Sequence, residues 1–252
     1  MYQIYLCLLI IIFSSVYSKH IELTKDNFVS LREKINGDVS SKLLYRLNSL
    51  NATPLYIYIN SPGGEVMAGL EIVNYIKSYQ SQKKEIHCIC HNAMSMAFVI
   101  FQYCSTRYIL HSSTLMQHQM SLNVEGKLYD INSRLKYYNT IENELNAFQA
   151  DRMKIYISDF INRIRDDWWM YSNEIIKNNA ADEMITISCI FPNYYENITT
   201  NTLFGELTIV YSACPMINYP INIIFPSLYN ETARIEFINR NIKYNSMITY
   251  EL

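Results

Sequence analysis

The sequence predicts an α/β fold with a parallel sheet, because a strand, a glycine-containing turn and a helix occur twice in series along the chain. In the first unit, residues 55–59 (LYIYI) are rich in β-formers and carry no charge, as is typical of a strand buried on both faces. A turn at 60–64 (NSPGG) follows, and apolar residues then recur at helical spacing over 66–76. The two glycines allow a tight turn and let backbone N–H groups approach a ligand closely.

The second unit repeats this order. It has an apolar strand at 86–90, a turn at 91–94 and an apolar helix over 95–103. Consecutive parallel strands joined by right-handed crossovers place both turns at the same edge of the sheet, so Gly64 and Ser95 are expected to be neighbours.

The flanking segments complete the predicted fold. Leucines at helical spacing indicate a helix over 40–50, and short β-rich runs predict strands at 108–110 and 114–119. One long helix is predicted over 130–154, with an apolar stripe and a length of about 35 Å. A helix of this length projects from a small core, and contact with another subunit is its natural use.

Composition limits the function classes. The chain has 252 residues, half of them hydrophobic, which is enough for one sizeable core and an appendage. The net charge of -2 and the lack of any Lys or Arg block argue against nucleic acid as a partner. No cofactor is expected, because the sequence has neither a G-x-G-x-x-G nor a G-K-[ST] phosphate motif.

The cysteines do not predict a zinc site, since there is no C-x-x-C pair. Cys88 and Cys90 lie on the same face of a predicted strand and are interpreted as core residues. Cys189 and Cys214 are predicted to form a disulfide if the compartment is oxidising.

The N-terminus resembles a signal peptide. Residues 1–18 contain no charged side chain, and their apolar centre is shorter than a membrane span. Small side chains near Ser18 suit cleavage, so the mature chain is expected to begin near Lys19. Because no Lys or Arg precedes the apolar region, an uncleaved membrane anchor remains the alternative.

Three N-x-[ST] sequons, at Asn51, Asn197 and Asn230, are possible N-glycosylation sites. They agree with a secretory route or a signal-dependent organelle lumen. Such triplets also arise by chance in a chain rich in Asn.

Ser95 is the candidate nucleophile. A serine between a strand and a helix has its hydroxyl near free backbone N–H groups that stabilise negative charge. The alternative is a helix-capping serine, which this position also favours.

His118 and an aspartate are the candidate partners. His118 ends an apolar strand, where a structural histidine is the common case, but its position after Ser95 in a converging sheet favours a general base. Asp166 and Asp167 precede two tryptophans and by themselves suit a solvated turn. Together with Ser95 and His118, one of them completes a Ser, His and acid set.

These motifs resemble the proteolytic subunit of the Clp protease, the ClpP family of serine peptidases. The matching segments occur in family order over 22–184: YINSPGGEV at 58–66 with Ala68 and Gly69, AMSM at 93–96, MQHQ at 116–119, Gly126 with Asp130 and Ile131, and RDD at 165–167 with Ser172, Glu174, Ala181 and Asp182.

The resemblance implies a ClpP/crotonase-like αβ spiral with a protruding handle helix, and it assigns roles to residues. Ser95 resembles the nucleophile, His118 the general base, and Asp167, rather than Asp166, the acid that orients the imidazole. The backbone N–H groups of Gly64 and Met96 resemble the oxyanion hole.

It also implies partners. ClpP-like subunits form heptameric-type homo-oligomeric rings, cleave polypeptides and work with an AAA+ unfoldase, so any ATP dependence here would come from a partner.

Some positions depart from the family pattern. His91 and Ala97 replace glycines around the nucleophile, and Trp168 and Trp169 are bulky residues beside the acid.

We divide the chain into a signal peptide at 1–18, a peptidase domain at 19–184 and an extension at 185–252 that includes β-like runs such as 207–211.

Three alternatives to an active peptidase were compared. A Ser-Lys signal-peptide peptidase fits the His118 motif poorly, and a crotonase-type acyl-CoA enzyme needs no Ser-His-Asp set. A catalytically silent ClpP-like scaffold or regulatory subunit is the main alternative.

Overall fold

The computed structural model describes residues 18–190, 195–202, 205–217 and 219–241. The strands are β1 (His20–Leu23), β2 (Phe28–Leu31), β3 (Leu55–Ser61), β4 (Ile86–Met94), β5 (Arg107–Gln117), β6 (Trp168–Tyr171), β7 (Glu183–Met184), β8 (Thr186–Cys189), β9 (Tyr195–Thr202), β10 (Gly205–Ser212) and β11 (Pro220–Ile224). The helices are α1 (Gly37–Ser49), α2 (Val66–Ser81), α3 (Met96–Tyr103), α4 (Leu128–Arg152), α5 (Ile157–Arg163), α6 (Asn173–Lys177) and α7 (Glu231–Asn241).

The signal-peptide prediction falls almost entirely outside the described residues, which include only Ser18 of that segment. Within the described ranges, no helix combines the length and the apolar character that a membrane span requires.

The central sheet has the order β2-β3-β4-β5-β6, with β7 pairing to β5. Strands β2 to β5 run parallel to their neighbours, whereas β6 is antiparallel to β5. The predicted pair of strand–turn–helix units is therefore confirmed: β3 leads into α2, β4 leads into α3, and β3 and β4 are adjacent and parallel.

Both faces of the sheet are covered, which explains why its strands lack charge. On one face, Ile57 and Ile59 of β3 belong to the main core with α2 and α3. On the other face, Tyr58 belongs to a smaller cluster with Ile21 and Leu23. Those two residues come from β1, which pairs in parallel with β8.

Two local predictions were wrong. The turn predicted at 91–94 is strand, because β4 continues to Met94 after a register shift between Cys90 and Asn92. The two short strands predicted at 108–110 and 114–119 are one strand, β5. In both cases, pairing with a neighbouring strand satisfies backbone groups at residues whose local sequence favours a turn.

Helix α4 begins and ends two residues before its predicted bounds, and it projects as predicted. Its buried residues, Leu145, Asn146, Gln149 and Ala150, all lie toward its C-terminal end. Its first half is solvent-exposed, with Tyr129 85% exposed.

The extension contains a second sheet. Strands β9, β10 and β11 form an antiparallel sheet in the order β11-β10-β9, which confirms the β-like character of the run at 207–211. Because β8 pairs with β1, the chain stays with the core until Cys189.

Two disulfides are present. The predicted Cys189–Cys214 bond is confirmed and ties β8 to the segment after β10. Cys88 is buried, as predicted, but it is also bonded to Cys104. We did not anticipate this second bond, because the sequence does not reveal that the end of α3 returns to β4.

Candidate active site

Ser95 lies between β4 and α3 in a backbone conformation that is rare for a non-glycine residue, with φ 53° and ψ -122°. Its N–H donates to the carbonyl of Met116 in the neighbouring strand, at 2.9 Å, and its carbonyl accepts the N–H of Val99 at 3.1 Å. The Ser95 side chain makes no capping hydrogen bond. The capping alternative therefore does not account for this serine, and its hydroxyl is left available.

The two glycines of the turn after β3 pack against different neighbours, and the predicted turn at 60–64 is shorter than expected because β3 continues to Ser61. A Cβ at Gly63 would collide with the carbonyl of Met94 and would lie 2.8 Å from the Ser95 Cβ, and the φ of Gly63 is +86°. A Cβ at Gly64 would collide with the backbone of Ile35. The N–H of Ile35 in turn donates to the Gly63 carbonyl at 2.8 Å. Only glycine lets this turn lie directly against the Ser95 turn.

One cleft contains most of the predicted site residues. It has about 560 Å³ of empty space. Its lining includes Gly64, Ser95, Met96 and His118, so the structure brings together four of the five predicted catalytic and oxyanion-hole residues. The rest of the lining comes from α2, α3, the end of β5 with the segment after it, and α4: Val66, Val99, Gln117, Gln119, Met120, Ser121, Glu142, Leu145, Asn146 and Gln149.

His118 is half-buried and follows directly after β5. Its Nδ1 lies 2.5 Å from the carbonyl oxygen of Gln119. A carbonyl only accepts, so this contact assigns the proton to Nδ1 and leaves the Nε2 lone pair free to act as a base. No hydrogen bond joins His118 to Ser95 in the described part of the chain. Such bonds are often long before a substrate binds.

Asp167 does not reach the cleft. Its side chain is exposed, and neither it nor Asp166 hydrogen-bonds to His118 in the described residues. The antiparallel ladder ends at the pair Gln117 and Trp168, so extending its register by one residue would place Asp167 opposite His118. This extrapolated register favours Asp167 over Asp166 as the partner of His118. In place of a carboxylate, the Gln119 carbonyl orients the ring.

Helix α4 holds the segment that carries His118. The buried Gln117 donates from Nε2 to the Gln149 Oε1 at 2.6 Å. The Met120 N–H donates to the Glu142 Oε1 at 2.9 Å. His118 is therefore fixed by contacts on both sides to one helix.

The sequence analysis missed the polar residues that α4 contributes to the cleft. Glu142, Asn146 and Gln149 lie three or four residues apart, and so share one face of the helix. The available signal was this spacing of polar side chains beside Leu145. The apolar positions of the helix by themselves do not indicate this polar face.

The substituted glycines do not prevent the Ser95 turn from forming. Ala97 is fully buried in the core. His91 is half-buried, and its Nδ1 is a buried atom without a hydrogen-bond partner. Burial lowers the pKa of His91, and the charge of Arg32 lowers it further.

The tryptophans after Asp167 differ in their surroundings. Trp168 packs edge-on against Phe160, and the Arg163 guanidinium lies 4.8 Å from its ring centroid. Trp169 is 42% exposed.

Across the described ranges, no group of three or more His, Cys, Asp or Glu residues is arranged to hold a metal ion.

Comparison with known proteins agrees with this geometry. Residues 14–188 match the family model described as Clp protease. The chain is also 25% identical over 182 residues to a protein named ATP-dependent Clp protease proteolytic subunit 2, from Nocardia farcinica (strain IFM 10152). That match covers 68% of this chain and 85% of the relative. The mixed α/β architecture is the one that the resemblance predicted, and the family model covers well over half of the sequence. The chain belongs to the Clp protease family.

Proposed function

We propose that this protein is a serine endopeptidase that hydrolyses peptide bonds in unfolded polypeptides or short peptides. The observation that carries the proposal is the Ser95 turn. Ser95 has a positive φ and an uncapped hydroxyl, and it shares a cleft with a His118 whose Nε2 is free to accept a proton. Family membership supports the same chemistry.

In the proposed mechanism, the Ser95 Oγ attacks the carbonyl carbon of the scissile peptide bond while His118 Nε2 takes the hydroxyl proton. The N–H groups of Gly64 and Met96 stabilise the negative oxygen of the tetrahedral intermediate. His118 then gives the proton to the leaving amine, which leaves an ester on Ser95. Water activated by His118 hydrolyses this ester and restores both side chains. Asp167 is proposed to orient the imidazole once its loop moves toward His118.

A second candidate is a catalytically silent scaffold or regulatory subunit, and the exposure of Asp167 outside the cleft favours it. A fluorophosphonate probe separates the two, because it reacts only with an activated serine. We expect the wild-type protein to be labelled and the Ser95→Ala variant not to be. Equal labelling of the two proteins, or labelling of neither, would support the silent subunit.

We also propose that the subunits assemble into a homo-oligomeric, heptameric-type ring through α4. The exposed first half of this helix presents large apolar side chains, including Leu128, Tyr129 and Leu135, that a lone subunit leaves in water. The relative is named as a proteolytic subunit of an ATP-dependent protease, which is consistent with assembly and with an AAA+ unfoldase partner.

Light scattering of the wild-type protein at micromolar concentration is expected to give the mass of a ring. Leu135→Glu should shift the protein toward smaller species, because it places a charge in the apolar contact. Arg134→Glu, which introduces the same carboxylate on a face of α4 away from Leu128, Tyr129 and Leu135, is the matched control. An active wild-type monomer would contradict the proposal.

For location, we propose the secretory pathway or a signal-dependent organelle lumen, with an uncleaved membrane anchor as the alternative. Two disulfides suit an oxidising compartment. The sequon residues Asn51, Asn197 and Asn230 are all exposed, as a glycan requires.

N-terminal sequencing of the protein from its native cells is expected to begin near Lys19. Treatment with peptide N-glycosidase should lower the apparent mass in gel electrophoresis. Retention of Met1 on a membrane-bound protein would favour the anchor. Retention of Met1 on a soluble protein without glycan would contradict both forms of the proposal.

A further inference from the structure

One wall of the cleft beside Ser95 is polar. Helix α4 contributes Glu142, Asn146 and Gln149 to its wall, with Leu145 as the apolar member. Gln149 is fully buried, and its amide is already bonded to Gln117 and to the Leu145 carbonyl. The other two polar side chains retain bonding capacity toward the cleft.

Asn146 has an unused carboxamide. The residue is only 7% exposed, yet no described residue hydrogen-bonds to its side chain. The oxygen and nitrogen of its amide are in part open to solvent. Asn146 is one of the residues that line the cleft. A substrate that fills the cleft without bonding to this amide would bury it unsatisfied, which costs affinity.

Glu142 supplies negative charge at the same wall. Its Oε1 accepts the Met120 N–H, and no described cation pairs with its carboxylate. Apart from the titratable His118, it is the one ionisable side chain among the lining residues of the cleft. Glu142 and Asn146 are one helical turn apart, so a single long side chain can contact both.

We propose that the cleft selects peptides with lysine or arginine at the position whose carbonyl Ser95 attacks. This proposal rests on the peptidase function above and names the substrate class of the same site. The cationic group would donate to the Glu142 carboxylate and to the Asn146 Oδ1, which satisfies both groups. An apolar side chain would desolvate them without compensation, and an acidic one would be repelled by Glu142.

The test compares fluorogenic peptides that differ only at this position, with Lys, Arg, Gln, Leu or Glu. We expect kcat/KM for the Lys and Arg peptides to exceed that of the Leu peptide by about tenfold, as charge-assisted hydrogen bonds are strong. The Glu peptide should be the poorest substrate. A preference for Leu over Lys in the wild-type protein would overturn the proposal.

Glu142→Gln is the decisive variant, because glutamine keeps an acceptor for the Met120 N–H while it removes the charge. It should lower kcat/KM for the Lys peptide about tenfold more than it lowers kcat/KM for the Gln peptide. Glu144→Gln, which removes an exposed charge from the same helix, is the matched control. A loss shared equally by all peptides would show that Glu142 has only a structural role, and would overturn the proposal.

Binding to the Ser95→Ala variant separates this inference from the peptidase function. The anisotropy of labelled peptides should show tighter binding with Lys than with Leu, whether or not the wild-type protein is active. An active, probe-labelled enzyme without this preference would refute the inference alone. A protein that binds the Lys peptide but neither reacts with the probe nor hydrolyses any peptide would refute the peptidase function alone.

Discussion

Replacing Ser95 with alanine is expected to lower kcat/KM for short peptides by about a thousandfold or more, because the variant has no nucleophile. His118→Ala should cause a similar loss, since the Ser95 hydroxyl then has no base. The double variant should be little worse than either single one, because the two residues act as a unit. Steady-state hydrolysis of fluorogenic peptides measures all three. Equal activity in the wild type and Ser95→Ala would eliminate the peptidase assignment.

The aspartates provide the internal comparison. Asp167→Ala should reduce kcat/KM more than Asp166→Ala, because the β5–β6 register extends to place Asp167 opposite His118. The loss for Asp167 should be smaller than that for Ser95, since the Gln119 carbonyl already holds the imidazole by Nδ1. A larger loss for Asp166→Ala would reverse this assignment.

The second large effect concerns stability and centres on Asp182. Its carboxylate accepts the Arg107 N–H at 2.8 Å and the Nη2 of the same residue at 2.6 Å. Arg107 is only 3% exposed, and its guanidinium is paired with the Asp182 carboxylate while its Nη1 donates to the neutral Gln102 Oε1. Removing Asp182 leaves the buried Arg107 charge uncompensated, and Asp182→Asn should lower the free energy of unfolding by about 2 kcal/mol, less than for a fully buried pair because the Asp182 side chain is 34% exposed.

Urea denaturation measures this difference. Asp166→Asn, at an exposed position without a described partner, is the control and should change the free energy of unfolding by less than about 0.5 kcal/mol. An Asp182→Asn variant as stable as the control would show that water or another group compensates Arg107.

The contribution of Asp182 should also depend on pH. Burial alone would raise the pKa of the Asp182 carboxyl. The hydrogen bonds and charge of Arg107 and the charge of Arg152 outweigh burial, so the pKa lies below its usual value. A lowered folded-state pKa adds stability above the unfolded pKa of about 4, and this stability is lost as the pH falls through the folded pKa. The difference between wild type and Asp182→Asn should therefore be constant from about pH 5 to pH 7 and should shrink below about pH 4.

Local patterns in the sequence were sufficient for much of the fold. Charge-free strands alternate with helical stripes over 55–103, and chirality then brings Gly64 beside Ser95. The extent of helix α4 was likewise readable to within two residues at each end. These features depend on near neighbours in the chain or on general rules of strand connection.

Other features required contacts between distant segments. The continuation of β4 through 91–94 depends on hydrogen bonds to β3 and β5. The Cys88–Cys104 bond depends on how α3 returns to the sheet. Local periodicity predicts neither feature. Turn-like residues adopt a strand when a neighbouring strand satisfies their backbone groups, and a disulfide forms only where the fold brings two cysteines together.

For the candidate site, the positions of Ser95 and His118 at the ends of predicted strands indicated two side chains that do line one cleft. The tertiary structure decided that Asp167 lies exposed beyond the end of the β5–β6 ladder, and that α4 lines the cleft with Glu142 and Asn146. Sequence spacing determines which residues share a strand or a helix face, but the packing of α4 against the end of β5 determines which of those side chains face Ser95.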